Sequence, residues 1–406
     1  MTLAKVKPFA VEQWMDEYET SAKYNIAETC AASISIEDLK NLSDDKSKEV
    51  WDPSTKLVYG AIRGSERLRS NLARLYSSKA PSPLPAENIL ITPGAIAANH
   101  LLLYSLIGRG DHVICHYPTY QQLYTVPASL GAEVSLWKAK EDAKWQLEID
   151  ELKSLIKPNT KLIIINNPNN PTGAIIPRSM LEKIVEVAAE NDSMILSDEV
   201  YRPLFTGIRP MDPEFPPSIL SMAYPKAIAT GSLSKAYSLA GTRVGWIASR
   251  SRDIIEACAQ GRDYTTISVS QITDQIASYA LSPDCIHNLL GRNIKLAKTN
   301  LDILERFMEQ HRWALEWVKP VAGTTAFVKI SREGREVDDV FFCKLLQEET
   351  GVMLCPGSYC FGDGKDFKGY VRIGYVCETE VLTEGLAKLK TFMREGYRTV
   401  PTVDQA

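Results

Sequence analysis

Chemistry in this 406-residue chain gathers around one lysine. Lys235 lies in GSLSKAYSLAGTRVG, at the end of a strand-like run, with the hydroxyls of Ser232 and Ser234 before it and the guanidinium of Arg243 after it. Hydroxyls and a fixed cationic fork are donors that hold a phosphate. An amine beside a phosphate site is what a Schiff-base cofactor needs. Most lysines are solvated surface cations, so it is the neighbours that set this one apart.

Pyridoxal 5'-phosphate (PLP) makes specific demands on a protein, and this chain has a residue type for each. A lysine must form the Schiff base, and a carboxylate must keep the pyridine nitrogen protonated. Donors must hold the phenolic oxygen, a flat side chain should cover the ring, and amides, hydroxyls and an arginine must hold the phosphate. Asp198, at the end of MILSDEVY, suits the carboxylate role because an ion pair with a pyridinium offsets its desolvation.

Four segments in order, NNPNNPTG, SDEVY, SLSK and GTRVGW, together resemble the fold-type I PLP-dependent aminotransferases of class I and II, over nearly the whole chain. The resemblance implies an α/β fold: a large domain around a mostly parallel seven-stranded sheet, plus a smaller α+β domain. It makes Lys235 the Schiff-base lysine, Asp198 the pyridinium partner, and Tyr201, with Asn170, the donor to the phenolic oxygen. By the same resemblance Tyr120, in YPTY, stacks on the ring. The phosphate sits at the helix start formed by Gly94, Ala95 and Ile96, held also by Ser232, Ser234 and Arg243. Tyr59 matches a tyrosine that reaches the partner subunit's phosphate, which implies a homodimer with sites at its interface. Arg372, in YVRIGYV, is either an ordinary ion-pair partner or the guanidinium that, with Asn170, grips a substrate α-carboxylate, as the matching family position does.

These cofactor motifs are compatible with several outcomes. The first reading is an aminotransferase that passes an α-amino group from an L-amino acid to a 2-oxo acid. One departure bears on the substrate: where the common pattern has a Gly-containing segment, this chain reads NIAETC, with Ala27, Glu28 and Thr29. A carboxylate at Glu28 favours a cationic side chain such as arginine, lysine or ornithine and repels aspartate. Its alternative is a solvated or capping glutamate. NIAETC and SLSKAYSLAGTRVGW are also similar to the capreomycidine synthase branch, which cyclises an arginine derivative, so a PLP-dependent lyase or cyclase of specialised metabolism is the second reading. A non-catalytic regulator on this fold is the third; it would usually carry a DNA-binding extension, for which the short N-terminal arm has no room.

Strand-like and helix-like runs alternate from about residue 87, as a doubly wound sheet requires. ENILITPG reaches a glycine turn, a helical pattern runs from Ala95 to Leu106, and GDHVICHYP, GAEVSLWK, TKLIIINNPNNPTG, MILSDEVY, AIATGSLSK and GTRVGWIAS are further strands. Polar residues follow each strand, where open α/β sheets bind ligands. The charged SREGREVDDV segment precedes a helical run, DVFFCKLLQEETG, and the strand YVRIGYV. The expected organisation is an N-terminal arm over 1–45 packed on the small domain, a large PLP-binding domain over 46–280, and a small domain over 281–406.

Composition narrows the alternatives. With 45% apolar residues the chain can bury a large core. Its 46 Lys plus Arg against 50 Asp plus Glu are interspersed, leaving no basic stripe for nucleic acid. Eight cysteines without a CxxC pair point to reduced thiols and a cytoplasmic location. The N-terminus turns acidic where a signal peptide would be apolar, and no apolar run spans a bilayer, so no membrane association is expected. His112 and His116 in HVICH have no nearby carboxylates, so no metal site is expected. GxGxxG, GxxxxGK[ST] and GxSxG are all missing.

Overall fold

The computed structural model describes residues 6–78 and 80–403. Residues 1–5, 79 and 404–406, which include the start of the N-terminal arm and the last residues of the polar PTVDQA end, lie outside the described residues.

Seven strands form the central sheet: β1 (Ile89–Thr92), β2 (His112–Tyr117), β3 (Glu133–Lys138), β4 (Thr160–Asn166), β5 (Met194–Asp198), β6 (Ala227–Ser232) and β7 (Gly245–Ser249). Their order is β1-β7-β6-β5-β4-β2-β3. Strands β2 to β6 are parallel, and β7 runs antiparallel to both β6 and β1. The inner strands are buried almost throughout, because helices cover both faces of the sheet. Alternation along β4 sends Leu162 and Ile164 to one core cluster and Ile163 and Ile165 to the other. On the Leu162 side lie helix α2 (Ala95–Leu106), with Ala98, Leu101 and Leu102 buried, and helix α4 (Arg252–Asp263). On the other lies α3 (Arg178–Glu190), which buries Leu181, Ile184, Val187 and Ala188. That spacing is the helical repeat of one apolar stripe, and each of its Leu, Ile and Val side chains contributes about 1.5–3 kcal/mol on burial.

A long helix, α5 (Pro283–Gln310), leads to the second sheet. Its polar side chains link the two units: Asn293 Nδ2 donates to the Ala236 carbonyl (2.8 Å), beside Lys235, and Asn300 Nδ2 donates to the Tyr375 and Cys377 carbonyls (2.8 Å each). In the second sheet β9 (Thr325–Arg332) pairs antiparallel with β8 (Leu315–Trp317), β10 (Arg335–Glu336) and β12 (Tyr370–Gly374), and β11 (Cys355–Pro356) pairs with β12. Helices α6 (Asp339–Thr350) and α7 (Thr379–Glu395) pack on it. The charged segment after residue 331 is a hairpin: Glu333 and Gly334, with φ of 53° and 76°, make the turn between β9 and β10.

The N-terminal segment joins this smaller unit. Helix α1 (Ala10–Tyr18) is anchored by Trp14 Nε1 donating to the Leu354 carbonyl (2.8 Å). Tyr24–Asn25 pairs in parallel with Val352–Met353, and Gly374 N–H donates to the Ile26 carbonyl (2.8 Å). Gly374 is needed for that approach, since a Cβ there would strike the Glu28 carbonyl. All eight cysteines are free, and among the described residues no helix is long and apolar enough to cross a membrane.

Candidate active site

Strand register sets the site. Asn166 pairs with Asp198, and Asp198 with Thr230, so β4 and β5 end level, β6 runs two residues further to Ser232, and Lys235 stands three residues beyond that end. A cavity of about 320 Å³ opens at these ends. Ala95, Ile96, Tyr120, Asn170, Asp198, Tyr201, Ser232, Ser234, Lys235, Arg243, Arg372 and Glu28 all line it. Gly94 stands just behind, and Tyr59 lies elsewhere, on the surface and 77% exposed.

At one end is an anion cradle. Helix α2 starts at Gly94 with no side-chain cap, so its first amides, Ala95 and Ile96 among them, lack a carbonyl partner within the helix and carry the positive end of its dipole. Gly94 has φ of 84°, and a Cβ there would come within 2.7 Å of Arg243 Nη2. Arg243 Nη1 donates to Ser234 Oγ (3.5 Å) and the Ala240 carbonyl (3.0 Å), and Ser234 N–H donates to Ser232 Oγ (2.8 Å).

Asp198 forms the floor. Its Oδ2 accepts from Asn99 Nδ2 (2.9 Å) and its Oδ1 from the Val200 N–H (3.1 Å), while Thr230 Oγ1 donates to Asn99 Oδ1 (2.7 Å). Burial pushes the Asp198 carboxyl up, against the pull of Asn99, Val200 and the Lys235 charge, so a cation facing it would complete its pairing. Sequence reasoning missed Asn99. Its signal is a polar residue one helical turn after Ala95, directly after the apolar start over 95–98.

Lys235 Nζ meets one tripeptide. It donates to Thr29 Oγ1 (2.5 Å), Glu28 Oε1 (3.4 Å) and Cys30 Sγ (3.5 Å). Glu28 Oε1 also accepts the N–H groups of Thr29 (2.5 Å) and Cys30 (2.9 Å). Burial works against the Glu28 carboxylate, but the Lys235 charge and the hydrogen bonds from Cys30 and Thr29 outweigh it and hold the group down at about 2. Thus one oxygen of Glu28, expected at the substrate, is already engaged with the lysine and its own loop. Tyr201 is buried beside Thr29 and Lys235.

At the far end Arg372 projects from β12, 3% exposed. Its Nη2 donates to the Ala27 carbonyl (2.8 Å) and Cys355 Sγ (3.4 Å), its Nη1 to Asn170 Oδ1 (3.3 Å), and its Nε has no partner. A buried guanidinium with only neutral partners is ready for a carboxylate, which binds its fork in bidentate fashion. Helix α1 closes this end: Tyr120 OH donates to Glu12 Oε1 (2.6 Å), and Glu12, Met15 and Glu19 line the cavity. No sequence signal marked these three, because nothing local relates α1 to the loop after β2.

Free helix amides, an arginine, a buried carboxylate with room for a cation, an amine and an unpaired guanidinium nitrogen fit PLP together with an amino acid. His112 is engaged by Thr160 Oγ1 (2.7 Å) and Ser135 Oγ (2.9 Å), and among the described residues no group of acidic, histidine or cysteine side chains could hold a metal ion.

Comparison with known proteins agrees with this geometry. The family model for aminotransferase class I and II matches residues 38–389. A PLP-dependent aminotransferase from Streptococcus suis is 41% identical, with a TM-score of 0.86, over 96% of this chain and 98% of that one. Nicotianamine aminotransferase A of Hordeum vulgare is 29% identical over 84% of this chain and 74% of its own. Capreomycidine synthase of Streptomyces vinaceus is 26% identical over 93% and 92%. The chain belongs to the aminotransferase class I and II family and is an enzyme of its PLP-dependent kind.

Proposed function

We propose that the protein is a cytoplasmic, homodimeric aminotransferase that moves the α-amino group of an L-amino acid to a 2-oxo acid. A large unit over 46–280 holds PLP, and a small unit over 281–406, with the arm over 1–45, binds the substrate. The observation that carries this reading is that Lys235, Asp198 and Arg372 face one cavity next to the uncapped start of α2. PLP supplies a carbonyl carbon that takes up the amine and a ring that accepts the electron pair left at the α-carbon.

The chain's own residues do the rest. Ala95, Ile96, Ser232, Ser234 and Arg243 hold the phosphate. Asp198, kept in place by Asn99, retains the proton on the ring nitrogen. Tyr201 and Asn170 address the phenolic oxygen, and Tyr120 covers the ring. Arg372 and Asn170 grip the α-carboxylate and so aim the α-hydrogen at Lys235. Lys235 Nζ, which faces the same cavity, would take the α-proton as general base and return it as general acid. Glu28, through its second oxygen, with Glu12 and Glu19 lining the same cavity, supports a donor with a cationic side chain over aspartate.

Two further observations support the assembly and location. Leu57, Val58 and Tyr59 are 78, 69 and 77% exposed. Gln271, which donates to the Lys56 and Val58 carbonyls (3.0 and 2.6 Å), joins them to the loop carrying exposed Tyr264 and Ile267. Exposed apolar residues gathered in this way suit an interface, and Tyr59 would reach the partner's phosphate from it. Free thiols suit a reducing compartment.

The test is to add arginine, lysine, ornithine and aspartate singly to the holoenzyme, following the visible spectrum and the products by mass spectrometry. A 2-oxo acid from a cationic donor, with conversion of the cofactor to its aminated form, is expected. A dehydrated or cyclised product that keeps its α-nitrogen would move the enzyme to the lyase or cyclase reading, which the similarity to capreomycidine synthase supports.

A further inference from the structure

We infer that Thr29, with Glu28 behind it, is a positioning residue for Lys235: it holds the displaced amine where it must work, and Glu28 sets how readily that amine takes a proton. The inference rests on the reading of Lys235 as the reacting amine.

Thr29 Oγ1 makes the shortest contact to Nζ, at 2.5 Å. A hydroxyl accepts from an ammonium and donates to a neutral amine, so Thr29 can stay bonded to Lys235 in both protonation states. A carboxylate only accepts, so Glu28 favours the charged form. Thr29 is itself fixed from two sides. Its carbonyl accepts from Thr324 Oγ1 in the small unit (2.7 Å), and the Ala31 N–H, two residues on, donates to the Lys235 carbonyl (3.1 Å). The hydroxyl that meets the amine is thus tied to both halves of the molecule, and only 6% of the residue is exposed.

The titratable groups around Lys235 come from several elements: Glu28 and Cys30 from the arm, Asp198 and Tyr201 from the end of β5, and Tyr120 from the loop after β2. Burial works against the Lys235 ammonium, while Cys30, Glu28, Tyr201 and Tyr120 raise its proton affinity, each only when it carries a negative charge. Burial pushes the Cys30 thiol up to about 11 and raises both tyrosines, leaving all three uncharged at neutral pH. Asp198 is committed to the ring nitrogen. Glu28 is therefore the anion that acts on the amine at close range. In the step concerned, the Nζ lone pair takes the α-proton, the C–H electron pair stays with substrate and cofactor, and the same proton then returns to carbon. Thr29 is not consumed.

Thr29→Val, Thr29→Ser and Glu28→Gln test this in the full-length holoenzyme. Thr29→Val should lower kcat about tenfold or more, with KM within about twofold and the visible absorbance of bound cofactor retained. Thr29→Ser should restore most of the rate. Glu28→Gln should move the acid limb of the kcat profile to lower pH by about one unit, since removing a nearby anion weakens the base. A readout independent of turnover is competitive acetylation of Lys235 in the full-length chain freed of cofactor, followed by mass spectrometry across pH. Its midpoint should fall in Glu28→Gln. Should Thr29→Val not fold, Thr29→Ala, which also lacks the hydroxyl, takes its place, with the same fall in kcat expected and wild-type kcat overturning the inference. An unmoved midpoint, or a folded Thr29→Val with wild-type kcat, overturns the inference while leaving Lys235 as the reacting amine. Cofactor absorbance and turnover surviving in Lys235→Ala would instead overturn the reading on which it rests.

Discussion

The end of the cavity proposed to hold the phosphate and the end proposed to hold the substrate are built by different means. At the phosphate end the donors are backbone amides and side chains within a few residues of strand ends: Ala95 and Ile96 after β1, Ser232 and Ser234 at the end of β6, and Arg243 just before β7. At the substrate end the side chains meet partners from distant segments of the chain. Arg372 meets a carbonyl 345 residues away, and Tyr120 meets a carboxylate 108 residues away. The first construction depends on turn geometry and sheet register. The second depends on how the arm, α5 and the second sheet dock. Damage to the first should therefore appear as lost cofactor or lost chemistry, and damage to the second as weaker substrate binding with the cofactor in place.

Substitutions can break or sharpen that contrast. Lys235→Ala should have the largest effect, abolishing the visible absorbance of the lysine-bound cofactor and costing about 10⁴-fold or more in kcat, read by spectrum and steady-state rate. Asp198→Asn comes next, with kcat down by about 10²–10³-fold and the KM for the amino donor little changed. Arg372→Lys keeps the charge but loses the fork; KM for the amino donor should rise about 10- to 100-fold while the cofactor spectrum stays as in the wild type. Loss of cofactor in this variant would show that the two ends are not separable. Asn99→Ala leaves the Asp198 carboxylate short of one buried donor and should cost about tenfold in kcat, with the ring's absorbance titrating at shifted pH.

The smallest effect concerns the support of the substrate end. Asp339, at the start of α6, accepts from Ser358 N–H and Oγ (2.8 Å each) and from the Gly369 N–H just before β12 (3.1 Å). Among the described residues no cation pairs with it, and burial outweighs these bonds, raising its carboxyl from 3.8 to about 6. Glu28, with Lys235 beside it, goes the other way. A carboxyl raised in the folded state binds its proton more tightly there than in the unfolded chain. Its contribution to stability is therefore fully present below the unfolded value and is lost as pH rises through about 6. Urea unfolding of wild type and Asp339→Asn between pH 4 and 6 should show a decline of roughly 2 kcal/mol in the wild type that the variant lacks. Parallel curves would place the cause elsewhere.

Particular residues show how much was legible before the fold was known. Helix α2 runs over the residues its pattern marked, Ala95 to Leu106, because a glycine turn followed by an apolar run at helical spacing leaves little choice. The ends of β4, β5 and β6 were equally readable, since each apolar run stops at polar and turn residues. Glu28 was visible as a carboxylate out of place, but its engagement with Lys235 across 207 residues was not.

What the sequence by itself determined is therefore the sheet, its strand ends and the residues standing on them: Lys235, Asp198, Asn170, Tyr201 and the start of α2. Periodicity and turn chemistry act over a few residues and are written locally. Only the tertiary structure decided that Thr29 holds the lysine, that Asn99 holds Asp198, that Glu12 and Glu19 line the cavity, and that Tyr59 stands on the surface of the single chain. Those contacts arise when the arm pairs beside β12 and α5 ties that unit to the Lys235 loop, and packing between distant segments leaves no periodic mark in either one.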